Sequence, residues 1–247
     1  MGARKFYDEK SAINHLIIII MAKKFAKKYT EVLKKIDQEA AYSIKDAAKL
    51  AVETATTKFD SSVEIHMNLN IDVKQADQMV RGTLVLPNGT GKEIKIAAFV
   101  EADQVKAAKD AGATLAGLEE LIEEVKKGNI NFDIAIAQPQ VMRDLGKIAK
   151  HLGTKGLMPN PKAGTVTPNI VDAIKEIKKG KVEYKADKTG IIHGMVGKVS
   201  FGIDKVEENI QTYIDAVMNA KPSGLKGNYV QSIFVTTSMG PSIRIEL

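Results

Sequence analysis

From Val63 to Leu69 apolar and polar residues alternate, with Val63, Ile65, Met67 and Leu69 set between Glu64, His66 and Asn68. A period of two describes a strand with one buried face. Ile94–Val100 and Phe132–Ala137 are instead almost continuously apolar, as strands are when both faces of their sheet are covered. One chain that carries both patterns must build two differently covered sheets, and this limits its fold more than any other feature.

The remaining elements sort around that division. Lys23–Ile36 reads as a basic helix, and Ser43 with Asp46 three residues on opens a second helix running to about Thr56. On that helix Ile44, Ala47, Ala48, Ala51 and Ala55 share one close-packing face. Val80–Leu86 reads as a strand ended by the breaker Pro87-Asn88-Gly89-Thr90-Gly91. Beyond it, Gln104–Ala111, Leu118–Lys127, Gln140–Leu152 and Asn169–Lys179 read as helices interleaved with the apolar strands, a βα unit of open parallel type. After Gly180 the first style returns, with strands at Val182–Lys185, Ile191–Val199, Val230–Thr237 and Ile243–Glu246 and an amphipathic helix at Asp204–Ala220. The simplest organisation is a split domain built from residues 21–87 and 181–247, interrupted by an inserted βα unit at 88–180. Two closely spaced crossings would form a hinge. Leu16–Met21 is far short of the roughly 20 apolar residues of a membrane helix, and Met21 reads as a natural start, so residues 1–20 are expected to be an unstructured upstream extension or the product of a start-codon error. No membrane association is expected.

The 247 residues hold no Cys, so disulfide and thiolate chemistry are excluded, in keeping with a cytoplasmic location. The net charge of +6 suits a polyanionic partner, or simply a soluble basic protein. Residues 87–180 hold 14 Lys and Arg against 12 Asp and Glu, which leaves 22 against 18 elsewhere and puts most of the excess at the chain ends. Met21–Lys35 alone carries six Lys against one Glu. Catalytic and metal patterns fail one by one. Gly89-Thr-Gly-Lys92 lacks the Gly that a phosphate loop needs at Leu86 and the Ser or Thr it needs at Glu93. No G-x-G-x-x-G follows a strand, and the four His form no metal motif. His66 reads as a lone, solvated or structural imidazole, and no catalytic residue, metal or cofactor is expected. Gly153–Asn169 has five Gly or Pro in its first twelve positions, so it must be a loop. It is either a phosphate cradle charged by Lys155 and Lys162 or a shaped crossover connection, and both readings stand at this point.

Several ordered motifs then converge. GLMPNPKAGTV within that loop, Lys58-Phe59-Asp60, Val63-Glu64-Ile65-His66, Asp77-Gln78-Met79-Val80-Arg81-Gly82, Asp187-Lys-Thr-Gly, His193 and Val235-Thr-Thr-Ser-Met-Gly-Pro-Ser242 together resemble the bacterial large-subunit ribosomal protein L-one family. The resemblance runs from about Met21 to Leu247 and implies the fold class α/β with two domains: a split α+β domain from residues 21–87 and 181–247, and an inserted Rossmann-like three-layer α/β domain at 88–180. It implies a non-enzymatic structural constituent of the cytoplasmic ribosome that binds large-subunit ribosomal RNA at the mobile stalk. It further implies contact with exit-site transfer RNA and release of that tRNA once deacylated, repression of translation through the protein's own operon messenger, and a monomer off the ribosome. Its RNA-binding residues carry over to Lys58, Phe59, Ser62, Glu64, Lys188, Thr189, Gly190, Ser232, Thr237, Ser238, Met239, Gly240 and Pro241. Folded RNA is read by shape, phosphate and 2′-hydroxyl, which suits small hydroxyl residues. Met239 and Phe59 would offer apolar contact to bases or sugars, and Gly240 would let RNA approach the backbone. Phe59 could instead be a core residue, and Met239-Gly240-Pro241 only a tight turn. The alternative function is a nucleotide- or phosphate-binding enzyme using the inserted domain.

Overall fold

The computed structural model describes residues 27–75, 77–222, 224–225 and 227–246. The expected extension at residues 1–20 and the first turn of the basic helix lie outside the described residues. The rest of that helix is α1 (Lys27–Leu33), and α2 (Ile44–Glu53) follows. Ser43 caps α2 as anticipated, its Oγ accepting from the Asp46 N–H at 3.2 Å and donating to the Asp46 carboxylate at 2.8 Å. The helix stops short of Thr56, with Thr54 as its C-cap and the Thr54 hydroxyl donating to the Leu50 carbonyl at 2.6 Å.

β1 (Ser62–Leu69), β7 (Ile191–Lys198), β8 (Val230–Thr237) and β9 (Ile243–Ile245) form a sheet in the order β7-β1-β8-β9, antiparallel throughout. The alternation in β1 does what its period requires: Val63, Ile65 and Met67 are fully buried, and Glu64, His66 and Asn68 are half-buried on the other face. α2 and α8 (Ile203–Asn219) supply Ala47, Ala48, Ala51, Val206, Ile210, Tyr213 and Val217 to the core on the apolar side. The alanines let the two helices come close without leaving a void.

β3 (Ile96–Phe99), β4 (Leu115–Gly117) and β5 (Ile134–Ala137) form a parallel sheet in the order β4-β3-β5. Ala97 and Phe99 enter one apolar cluster with α4 (Glu119–Lys126), α5 (Met142–Leu145) and α6 (Ala149–Thr154). Ile96 and Ala98 enter another with α3 (Val105–Ala111) and α7 (Ile170–Lys178). This is why the strand reads as continuously apolar. Two expectations are corrected. The single helix at Gln140–Leu152 is two helices joined by a 3-10 turn at Gly146–Ile148, with Gly146 at the break. β4 was not anticipated, since three residues with Ala and Gly carry no strand signature.

β2 (Arg81–Val85) and β6 (Lys181–Lys185) make an antiparallel ribbon. Just beyond it the Leu86 N–H donates to the Gly180 carbonyl at 3.1 Å, so the two ends of segment 87–180 lie side by side. Gly180 has φ +105, and a Cβ there would stand 2.6 Å from the Gly89 Cα. No side chain fits that crossing. Asn209, fully buried on α8, holds it: its Nδ2 donates to Gly89 O at 3.0 Å and to Val196 O at 2.6 Å, and its Oδ1 accepts from Asn88 N at 3.2 Å.

The loop Gly153–Asn169 bonds chiefly to itself. Asn160 Oδ1 accepts from Lys162 N at 2.8 Å, and the Thr165 hydroxyl donates to Asn160 O at 3.1 Å while accepting from Asn160 N at 2.8 Å. The N–H groups of Ala163, Gly164 and Thr165 donate to carbonyls within the loop. Val166 runs parallel to Ala137 at the edge of β5, with Ala137 N to Thr165 O at 2.9 Å and Thr167 N to Ala137 O at 3.1 Å. Most of the loop's backbone donors are engaged within the loop or with β5, which favours the shaped crossover connection over the phosphate cradle.

Candidate nucleic-acid interface

The thirteen residues expected to meet RNA fall into two clusters. The first forms where the corner after α2 meets the end of β8. Ser62 N donates to Ser238 Oγ at 3.3 Å, and Ser238 N donates to Ser62 O at 3.0 Å. Lys58 is exposed and Phe59 is 61% exposed, so the core reading of Phe59 is set aside. Asp60 anchors this corner. Its carboxylate accepts from Ser200 N at 3.0 Å and Ser200 Oγ at 2.8 Å, with Lys198 Nζ at 3.8 Å, and the Ser200 hydroxyl above all holds its pKa below the ordinary value.

Gly240 N donates to Thr237 O at 2.8 Å, closing a four-residue turn whose third residue, Met239, has φ +66. Turns place Gly or Asn at such a position; a bulky side chain there costs about 1–2 kcal/mol. Strain of this kind in a native structure points to function. Met239 is 79% exposed, and with Phe59, Lys58, Thr57 and Lys28 it lines an open, mainly apolar cleft of about 420 Å³. A Cβ at Gly240 would collide with the Thr237 hydroxyl, so only glycine fits where this turn packs back on β8. Thr237 is buried and its Oγ1 has no hydrogen-bond partner, while Pro241 is buried at the start of the return to β9. Glu64 is half-buried on the polar face, two residues along β1 from Ser62.

The second cluster sits at the other end of β1. Ser232 pairs with Asn68, and Leu69 N donates to Gly190 O at 3.0 Å. In the Lys188-Thr189-Gly190 turn, Asp187 Oδ1 accepts from Thr189 N at 2.8 Å, Thr189 Oγ1 at 2.7 Å and Ile191 N at 2.8 Å. These donors, the Thr189 hydroxyl first, hold the Asp187 pKa at about 2. The Thr189 hydroxyl proton is therefore already committed, and the exposed Lys188 is the free cation of the turn. Val63 and Asn68 mark the two ends, about 17 Å apart at roughly 3.3 Å per residue.

Three further residues of this face, Asp187, His66 and His193, are not among the thirteen. Asp187 was legible in principle, since Asp followed two residues later by Thr is an Asx-turn pattern. The pairing of His66 with His193 was not, because 127 residues separate them: the Nδ1 atoms meet at 2.8 Å across β1 and β7. The lone-imidazole reading of His66 is therefore corrected. Burial lowers its pKa most, the His193 charge lowers it further, and Glu64 opposes both.

Elsewhere the chemistry is sparse. Beyond the carboxyl ends of β3 and β4, where an open parallel sheet takes a nucleotide, the crevice is lined by Glu101, Glu119 and Glu120 against Lys109. Carboxylates there repel phosphate. Among the described residues no group of three or more His, Asp or Glu is placed to hold a metal, and no helix is long and apolar enough to cross a membrane.

Fold and face together define a mixed α/β protein with one open polar sheet face and a strained, solvent-facing methionine at its edge. The sequence profile of the ribosomal protein L1p/L10e family matches residues 51–241. The chain is 47% identical over 223 residues to the large ribosomal subunit protein uL1 of Nitrosomonas europaea, covering 90% of this chain and 97% of that one. It is 49% identical over 226 residues to the protein of the same name from Macrococcus caseolyticus (92% and 97% covered), and 46% over 224 to that from Thermosipho africanus (90% and 97%). The chain belongs to the ribosomal protein L1p/L10e family, a family of ribosomal proteins rather than of enzymes.

Proposed function

We propose that this protein is a large-subunit ribosomal protein of cytoplasmic ribosomes that binds ribosomal RNA at the mobile stalk through the outer face of its four-stranded sheet. Residues 21–87 and 181–247 act as the split RNA-binding unit, and residues 88–180 as an inserted unit joined through the paired crossing at Leu86 and Gly180. By the same resemblance the protein contacts exit-site tRNA, aids release of that tRNA once deacylated, represses its own operon messenger, and is a monomer off the ribosome. The observation that carries the RNA reading is the convergence of Phe59 and Met239, 180 positions apart, as exposed apolar side chains on one cleft ringed by hydroxyls and lysines.

The test is a titration of the full chain against a stalk RNA fragment and a scrambled control at two salt concentrations. Wild type should prefer the stalk fragment at both, with affinity falling as salt rises. Phe59→Ala with Met239→Ala should weaken binding by at least tenfold, since a base stacked on a side chain contributes about 1–3 kcal/mol. Equal binding of both RNAs by wild type, or an unweakened double variant, would overturn the reading.

A further inference from the structure

The two clusters of candidate RNA-binding residues leave the middle of the sheet face unassigned, and an RNA strand that touches both must cross it. That middle is built from His66 on β1, His193 on β7 and Phe234 on β8, with Phe234 paired to His66 in register. The imidazoles do not stack. Their centroids are 5.0 Å apart with planes at 65°, and the rings meet nitrogen to nitrogen at 2.8 Å. At that separation one Nδ1 must carry a proton and the other must accept it.

The outer nitrogens complete the pattern. His66 Nε2 has the Glu64 carboxylate at 3.9 Å, and His193 Nε2 has the Asp187 carboxylate at 3.6 Å. Of the other residues around the pair, Asn68, Ile191, Met195 and Phe234 are uncharged, and Arg244 lies beyond Phe234 on β9. α2 and α8 pack on the opposite face of the sheet. One added proton therefore gives every imidazole nitrogen a role: Nδ1–H to Nδ1 between the rings, and an Nε2–H towards each carboxylate. A second proton would set two Nδ1–H groups against each other and place two like charges side by side, which each disfavours. His66 is the half-buried member and resists that second charge.

We propose that His66 and His193 hold a single proton between them and serve as one cation in the middle of the RNA-binding face, so that RNA binding takes up a proton there. This rests on the RNA reading above. The polyanion raises the proton affinity of the pair, so affinity strengthens as pH falls and the pair gains its charge. The gain stops at one proton.

Two measurements on the full chain test this. In the free, ¹⁵N-labelled protein, imidazole spectra should show one Nδ1–H shared by the two rings, with a coupling across the N–H···N bond. Stalk RNA affinity followed from about pH 8 to about pH 5.5, the range in which imidazoles titrate, should tighten by no more than about tenfold per pH unit, the slope of one proton. His66→Gln combined with His193→Gln should remove that slope. Two independent imidazole titrations without coupling would overturn the shared proton. Wild-type affinity that ignores pH would overturn the link to RNA while leaving the RNA reading intact. A wild-type chain with no preference for stalk RNA at any pH would overturn the RNA reading and the link together, with the spectra still deciding the pair.

Discussion

In the four-stranded sheet every second residue of β1 is buried and its neighbours stand half-exposed, whereas all four residues of β3 in the parallel sheet are fully buried. The first sheet spends helices on one face only and keeps the other for polar and aromatic side chains. The second is packed on both faces, so its surface chemistry is left to helix ends and loops, and the loop with the densest turn signals uses its hydrogen bonds internally. A binding face that spans the sheet is available in one region and foreclosed in the other.

Three substitutions can break or sharpen that contrast. The largest effect is expected from Phe99→Ala in β3, which empties a fully buried aromatic site. Such a change costs about 3–5 kcal/mol, read from urea unfolding, while stalk RNA affinity at zero denaturant should be unchanged. An affinity loss equal to that of the Phe59 and Met239 variant would mean that the two regions are not separable. Met239→Gly comes next and should move two quantities in opposite directions. Relief of the positive φ should stabilise the fold by up to about 1 kcal/mol, since the side chain buries little. RNA affinity should meanwhile fall roughly tenfold through the lost apolar contact; unaltered affinity would remove Met239 from the interface.

Asp187→Asn should have the smallest effect. The carboxylate titrates at 3.8 when unperturbed and at about 2 in the fold. A depressed folded value contributes stability above the unfolded value, and that stability is lost as pH falls from about 4 to about 2. Because the side chain is 40% exposed, solvent screening limits this to at most about 1 kcal/mol. Wild type should therefore lose stability over that interval in acid unfolding, and the variant should be flatter; identical curves would show that the turn does not depend on the charge.

Both sheets were legible because their residue periods differ, and the Ser43 cap because its side chain acts three residues away. Gly146 is where sequence reasoning failed within a helix: continuous amphipathicity hid a residue that permits a tighter turn. β4 failed for the opposite reason, since its strand character comes from β3 beside it. In the candidate interface, residues 58–64 and 237–241 were marked only by family resemblance. That Ser62 and Ser238 bond directly, 176 positions apart, lies beyond any local pattern. The same distance concealed the imidazole pair, and only the antiparallel register of β1 and β7 brings it together.

The hydrogen bond from Leu86 to Gly180 also bears on the order in which the chain can fold. Pairing β2 with β6 requires closing a loop that runs from Val85 to Lys181. If the segment between them is already compact, with its ends adjacent, the effective loop shrinks to a few residues. Loop-closure entropy scaling as (3/2)RT ln n then falls by roughly 2–3 kcal/mol. β1 and β7, which flank that ribbon, inherit the same saving. The parallel sheet, which offers no open face of its own, thus lowers the entropic barrier to assembling the sheet that does.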